Sequence, residues 1–123
     1  MAAPVADVTV VAAARATSER LCHYLEEAGL RCISAARLAD ATGAAHRARA
    51  YVLMADDFDA GAVAAALHTW GGRRPPPRVV VVQGTGPAVA PEGGAEVVFL
   101  PRPAFSWTIL DAIVGRATGG SAC

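Results

Sequence analysis

The residues best suited to chemistry in this sequence are a group of aspartates near its middle and one arginine near its end. Asp56, Asp57 and Asp59 lie in "ADDFD", directly after the apolar run "AYVLM". Arg102 lies between two prolines in "VVFLPRPAF", again after an apolar run. Carboxylates hold divalent cations or accept a phosphoryl group, and an arginine pairs with a carboxylate or a phosphate. What these groups do depends on the elements that bring them together.

Five apolar runs recur along the chain and predict the strands of one sheet. They are continuous rather than alternating, which is typical of parallel strands that are covered on both faces. We expect the strands at residues 8–14, 31–34, 50–55, 78–82 and 96–100.

Helical patterns fall between most of these strands. They lie at residues 17–30, where Thr17 or Ser18 caps the start and Gly29 ends the helix, at 36–49, at 59–72 and at 106–117. Between the fourth and fifth strands, "QGTGPAVAPEGGA" has two prolines and four glycines, which disfavour a regular helix. This alternation predicts a doubly wound α/β fold whose site lies at the carboxyl ends of the strands.

The composition argues against several classes of function. The 123 residues are the size of one domain, and a hydrophobic content of 54% is enough for one core. Eleven basic residues balance eleven acidic ones, so no net field attracts nucleic acid or a membrane. All the basic residues are arginine, which excludes Schiff-base chemistry on a lysine. The apolar N-terminal segment is too short to span a bilayer and contains Asp7, so we interpret it as a strand.

The three cysteines, Cys22, Cys32 and Cys123, are scattered and odd in number. They fit neither a disulfide framework nor a paired metal motif, and Cys22 and His23 are adjacent on a helix, where they point in different directions. We therefore expect reduced thiols in a cytoplasmic protein, with no bound metal and no cofactor.

The order of these elements resembles the receiver domain of bacterial two-component response regulators. The resemblance covers almost the whole chain and rests on "EEAGL" closing the first helix, "ADDFD" after the third strand and "GGAEVVFLPRPAF" around the fifth. It implies a flavodoxin-like, five-stranded parallel sheet in which the helix between the fourth and fifth strands is degenerate or absent. It also implies that Arg102-Pro103 occupies the family's Lys-Pro position, where the peptide bond is typically cis.

The resemblance also shows which functional groups this chain lacks. The acidic pair that binds the family's divalent cation corresponds to Ala12 and Ala13, which have no side-chain oxygen. The family's lysine corresponds to Arg102, which is longer and planar. The resemblance therefore implies a receiver-like site without its metal centre.

Two further positions complete the degenerate site. The phosphoacceptor position falls at Ala55 or Asp56, with Asp57 close behind. The family's hydroxyl residue at the end of the fourth strand corresponds to Gln83, or to Gly84 or Thr85 if the register shifts. We hypothesise that Arg15 or Arg102 reaches the Asp56 and Asp57 pair and holds it in one state; otherwise both guanidinium groups point to water.

An aromatic group near Arg102 is a candidate partner interface. Phe99, Phe105 and Trp107 lie around the fifth strand and the last helix, on the face where receivers usually meet partners or dimerise. Aromatic residues beside an arginine have the composition of an interface hot spot. The alternative is that these aromatic side chains are simply buried.

The expected function is that of a pseudo-receiver in bacterial signal transduction or transcription regulation, at residues 1–118, followed by a tail or linker at 119–123. It would not be an enzyme, and it would act through a protein partner, an output domain or a second copy. One alternative is a phosphorylation-responsive receiver that uses Asp56 by an altered mechanism. Another is a flavodoxin-like domain that binds a small molecule at "QGTG".

Overall fold

The chain folds around one parallel β-sheet, as a computed structural model of residues 6–43, 47–73, 76–84, 96–102 and 104–115 shows. The sheet has the order β2-β1-β3-β4-β5, and every neighbouring pair of strands is parallel. The strands are β1 Ala6–Val11, β2 Cys32–Ala35, β3 Ala48–Met54, β4 Arg78–Gln83 and β5 Glu96–Pro101. The predicted α/β fold with a five-stranded parallel sheet is confirmed.

Four helices connect or follow the strands within the described residues. They are α1 Arg15–Glu27, α2 Leu38–Ala41, α3 Ala60–Gly71 and α4 Ser106–Val114, and a short 3-10 turn at Ala55–Asp57 follows β3. None of these helices is long and apolar enough to cross a membrane.

The core has one layer on each face of the sheet. On one face, α2 and α3 pack against the sheet. This layer includes Tyr51 and Leu53 of β3, Val79 and Val81 of β4, and Leu67 and Trp70 of α3. On the other face, α1 and α4 pack against the sheet. This layer includes Val8, Val10, Val52 and Val80 of the strands, Leu21 and Leu25 of α1, and Ile109 of α4. Burial on both faces explains why the central strands are continuous apolar runs rather than alternating ones.

An aromatic stack fixes α3 against β3. The rings of Tyr51 and Trp70 lie 4.3 Å apart, with an interplanar angle of 17°. The Tyr51 hydroxyl accepts hydrogen bonds from the Ala48 amide and from the Arg73 guanidinium, which also donates to the Thr42 carbonyl oxygen at 2.9 Å. These contacts join β3, which leads into the aspartate turn, to α3 and to Arg73. Through Arg73 they also reach Thr42, directly after α2.

Two predicted helix boundaries are wrong. Helix α1 starts before Thr17 and Ser18, with Ala14 at its N-cap and no side-chain cap, and the Ser18 hydroxyl donates to the Arg15 carbonyl oxygen instead. In the described residues, the helix predicted at 36–49 covers only Leu38–Ala41. Residues 48 and 49 belong to β3 instead, and Ala48 pairs with Ala6 of β1. Gly29, with φ of 98°, follows α1 as predicted.

Several expectations fall outside the described residues. They concern the connection at 85–95, the peptide bond before Pro103 and the tail at 116–123.

Candidate functional site

The site lies at the carboxyl edge of the sheet, where four parallel strands end side by side. Ala12 and Ala13 follow β1, the aspartates follow β3, Gly84 follows β4 and Arg102 follows β5. The carboxyl ends of parallel strands share one edge, so residues distant in sequence meet there. The fold thus assembles the charged groups that the sequence singled out.

Asp56 is the centre of this arrangement. Its Oδ2 accepts a hydrogen bond from the Gly84 amide at 2.9 Å and another from Arg102 Nη1 at 3.2 Å. The Asp56 side chain is 29% exposed and that of Arg102 is 53% exposed. An arginine therefore reaches the aspartate pair, as predicted, in a charge-assisted contact at the rim rather than in the core.

Arg15, the other candidate, has a different partner. Its Nε lies 2.6 Å from Glu19 Oε2, one turn along α1, and its side chain is 87% exposed. The spacing of four residues along a helix makes this pairing local and geometrically easy. Of the two arginines considered, Arg102 is the one that contacts an aspartate.

Asp57 contacts the backbone at the end of β1. Its Oδ2 accepts a hydrogen bond from the Ala13 amide at 3.0 Å, which links the β3 turn to the end of β1. The neighbouring Ala12 is buried, with 1% of its surface exposed. The end of β1 therefore offers an amide donor to a carboxylate, and neither alanine adds a side-chain oxygen for a metal.

The third aspartate has a structural role. Asp59 is the N-cap of α3, and its Oδ2 accepts hydrogen bonds from the Gly61 and Ala62 amides at 2.9 and 3.3 Å. These bonds satisfy amides that have no partner within the helix. The "ADDFD" segment thus combines two site residues with one helix cap.

Gly84 is a site residue whose contact with Asp56 was not predicted from the sequence. A Cβ placed on Gly84 would lie 2.9 Å from Asp56 Oδ2 and 3.6 Å from both Cβ and Cδ of Arg102. The absence of a side chain lets the carboxylate reach the amide while the arginine passes alongside. The glycines of "QGTG" were the available signal, but they pointed to a phosphate rather than to a carboxylate of the chain itself.

The other expected site positions lie nearby. Gln83 is the last residue of β4, half-buried and in register with Pro101 of β5. Ala55 is buried, with 6% of its surface exposed. Asp56 follows it and is the first residue after β3 that carries a carboxylate. Thr85 lies outside the described residues. Directly after β4, the Gly84 backbone amide contacts Asp56.

The proposed aromatic interface divides into two parts. Phe105 and Trp107 stack with centroids 4.6 Å apart and rings 1° from parallel, and they are 55% and 58% exposed. Phe99 alternates with Val98 and Leu100, which pack on the α1 and α4 face, so its side chain points toward the opposite face of the edge strand β5. Phe105 and Trp107 are the stacked pair, and the partner interface of Phe99, Arg102, Phe105 and Trp107 stays a prediction.

Within the described residues, no group of three or more His, Cys, Asp or Glu side chains is arranged to hold a metal ion. No protein-family model matches the sequence, and no curated protein matches it.

Replacing Gly84 by alanine should disrupt the site. The new Cβ would displace the Asp56 carboxylate, and loss of the amide hydrogen bond should lower the free energy of unfolding by about 1 kcal/mol. Urea denaturation of both proteins measures this difference.

Gly72→Ala is the matched control. Gly72 has a φ of −84°, and its added Cβ would lie 3.6 Å from the nearest atom, the Thr69 carbonyl oxygen. This change should leave stability unchanged or raise it by about 0.5 kcal/mol. Equal stabilities for the two variants would show that Gly84 has no special relation to Asp56.

Proposed function

We propose that this domain is a pseudo-receiver, a receiver-like module that acts through protein contacts and does not depend on magnesium-assisted phosphorylation. The observation that carries the proposal is the contact of Asp56 with Arg102 and the Gly84 amide, at an edge where Ala12 and Ala13 follow β1. The sheet order and the position of the aspartates after β3 agree with a receiver-like architecture.

The chemistry of phosphoryl transfer explains why this site favours a non-catalytic function. Transfer to a carboxylate requires a cation to offset charge on the phosphoryl oxygens, and Mg²⁺ is usually held by one or two carboxylates together with phosphate oxygens. Here Asp57 accepts the Ala13 amide, and Asp56 already accepts two donors on one oxygen. Donors of the chain therefore already offset charge on Oδ2 of both carboxylates, and no acidic pair follows β1 to hold a cation beside them.

The interaction surface we propose lies at the start of α4. The stacked rings of Phe105 and Trp107 present a rigid apolar surface, and Arg102 shortly before them supplies a partly exposed cation. Aromatic residues and arginine are the types most enriched among interface hot spots. We propose a second copy of the domain as the partner, because a net charge of zero does not oppose self-association.

In this proposal the domain belongs to a bacterial signalling or transcription-regulatory protein. Its state would be set by the partner rather than by a phosphoryl group. The Asp56 and Arg102 contact would then hold the carboxyl edge in the conformation that the partner recognises.

A titration with magnesium and beryllium fluoride tests the proposed loss of phosphorylation chemistry. Amide NMR spectra of the purified domain should show no saturable shifts at Asp56, Gln83 or Phe99, because Ala12 and Ala13 supply no carboxylate to hold the cation. Saturable shifts that extend from Asp56 to Phe99 would contradict the proposal and would indicate a phosphorylation-responsive switch.

The variant Ala13→Asp provides the positive control for this titration. Ala13 is exposed, and its amide contacts Asp57, so a carboxylate there lies near a second one. It should bind Mg²⁺ in the millimolar range, at about the level of weak carboxylate sites. A response of this variant alone shows that the assay detects binding.

Sedimentation velocity tests the partner surface. The wild-type domain should show concentration-dependent dimerisation, and the double variant Phe105→Ser, Trp107→Ser should weaken it at least about tenfold, since hot-spot residues each cost about 2 kcal/mol or more when truncated. Val114→Ser is the matched control, since Val114 is also exposed on α4 but lies at the opposite end.

The control variant should dimerise like the wild-type protein. A wild-type domain that remains monomeric up to millimolar concentration would contradict self-association. Equal weakening by the control variant would show that the stacked pair is not the centre of the interface.

A further inference from the structure

Cys22 and Cys32 lie together where α1 packs on β2. Cys22 is on α1 and Cys32 is the first residue of β2, and both are half-buried beside the core layer that α1 and α4 cover. Both are free thiols, and their side chains interact with each other. The sequence spacing gave no reason to pair them, because a turn and the end of a helix separate them.

The environments of the two sulfur atoms differ. A hydrogen bond from the Cys32 thiol lowers the pKa of Cys22, against the smaller opposing effects of burial and of Glu26. The same interaction, together with burial, raises the pKa of Cys32. Cys22 is therefore the better thiolate and nucleophile, and Cys32 is the neighbouring thiol that can react with an oxidised Cys22.

Small reagents have a route to Cys32, and its partner Cys22 is only half-buried. Cys32 lines a surface depression of about 500 Å³ together with residues that include Glu26, Leu30 and Arg31. The depression is large compared with a peroxide molecule. Partial burial combined with this access distinguishes the pair from inert core cysteines.

We propose that Cys22 and Cys32 form a reversible disulfide when the protein meets a peroxide. The Cys22 thiolate attacks one peroxide oxygen, which breaks the O–O bond, forms a sulfenic acid and releases hydroxide, or water after proton transfer. The Cys32 sulfur then attacks the Cys22 sulfur, the S–O bond breaks, and the Cys32 proton leaves with the oxygen as a second water. Two thiols are thus oxidised by two electrons as one peroxide is reduced.

The disulfide would fix α1 to β2 at the edge of the sheet. It would close the short segment that contains the end of α1 at Glu27 and the turn at Gly29. This site is separate from the Asp56 and Arg102 contact, and the inference does not rest on the proposed function. Its chemical effect is a covalent link across the contact between α1 and β2.

Mass spectrometry of peroxide-treated protein tests this inference. The Cys123→Ser variant leaves only Cys22 and Cys32 as thiols. A few equivalents of hydrogen peroxide should remove the mass of two hydrogen atoms from the intact monomer. Digestion without reduction should yield a peptide pair that joins Cys22 to Cys32, and dithiothreitol should restore both thiols.

Two further variants assign the roles of the sulfur atoms. In the same background, Cys32→Ser should stop at a Cys22 sulfenic acid that dimedone traps, whereas Cys22→Ser should react at least about tenfold more slowly. Circular dichroism before treatment shows whether each variant is folded.

Three results would overturn the inference. The folded Cys123→Ser protein could keep both thiols reduced, it could form only disulfide-linked dimers, or it could proceed to sulfinic acid without the internal link. Each of these results would show that the two sulfur atoms do not meet in solution as the structure places them.

Discussion

The charge-assisted contact between Arg102 and Asp56 is the interaction on which the organisation of the carboxyl edge depends. Asp56 and Asp57 are adjacent carboxylates at the end of β3, and like charges this close repel each other unless donors offset them. Arg102 and the Gly84 amide donate hydrogen bonds to Asp56, and the Ala13 amide donates one to Asp57. Donors of the chain itself thus offset the charge of both carboxylates.

The order of the strands sets the geometry of this contact. Asp56 follows β3 and Arg102 follows β5, with β4 between them. Neighbouring strands lie about 4.8 Å apart, so the arginine must reach across roughly twice that distance. Its long side chain passes beside Gly84, and the missing Cβ of Gly84 leaves room for the Asp56 carboxylate that the guanidinium contacts. The long side chain after β5 and the glycine after β4 therefore both contribute to this contact.

The sequence predicted the parts of this arrangement that depend on residue type and order. Continuous apolar runs predicted the parallel sheet, and its shared carboxyl edge predicted that an arginine would meet the aspartates. The contributions of Gly84 and Ala13 were not predictable, since every residue except proline carries a backbone amide. The direction of Phe99 and the meeting of Cys22 with Cys32 depend on strand register and helix rotation, which composition and periodicity determine only approximately.

A double-mutant cycle on Asp56→Asn and Arg102→Gln tests most directly whether the guanidinium holds the carboxylate in solution. Urea denaturation of the four proteins measures the coupling free energy between the two side chains. Since both groups are partly exposed, we expect a favourable coupling of about 0.3 to 1 kcal/mol at low salt. The coupling should fall toward zero in about 1 M sodium chloride, where the charges are screened. Zero coupling at low salt would contradict the claim that Arg102 holds the Asp56 carboxylate in solution.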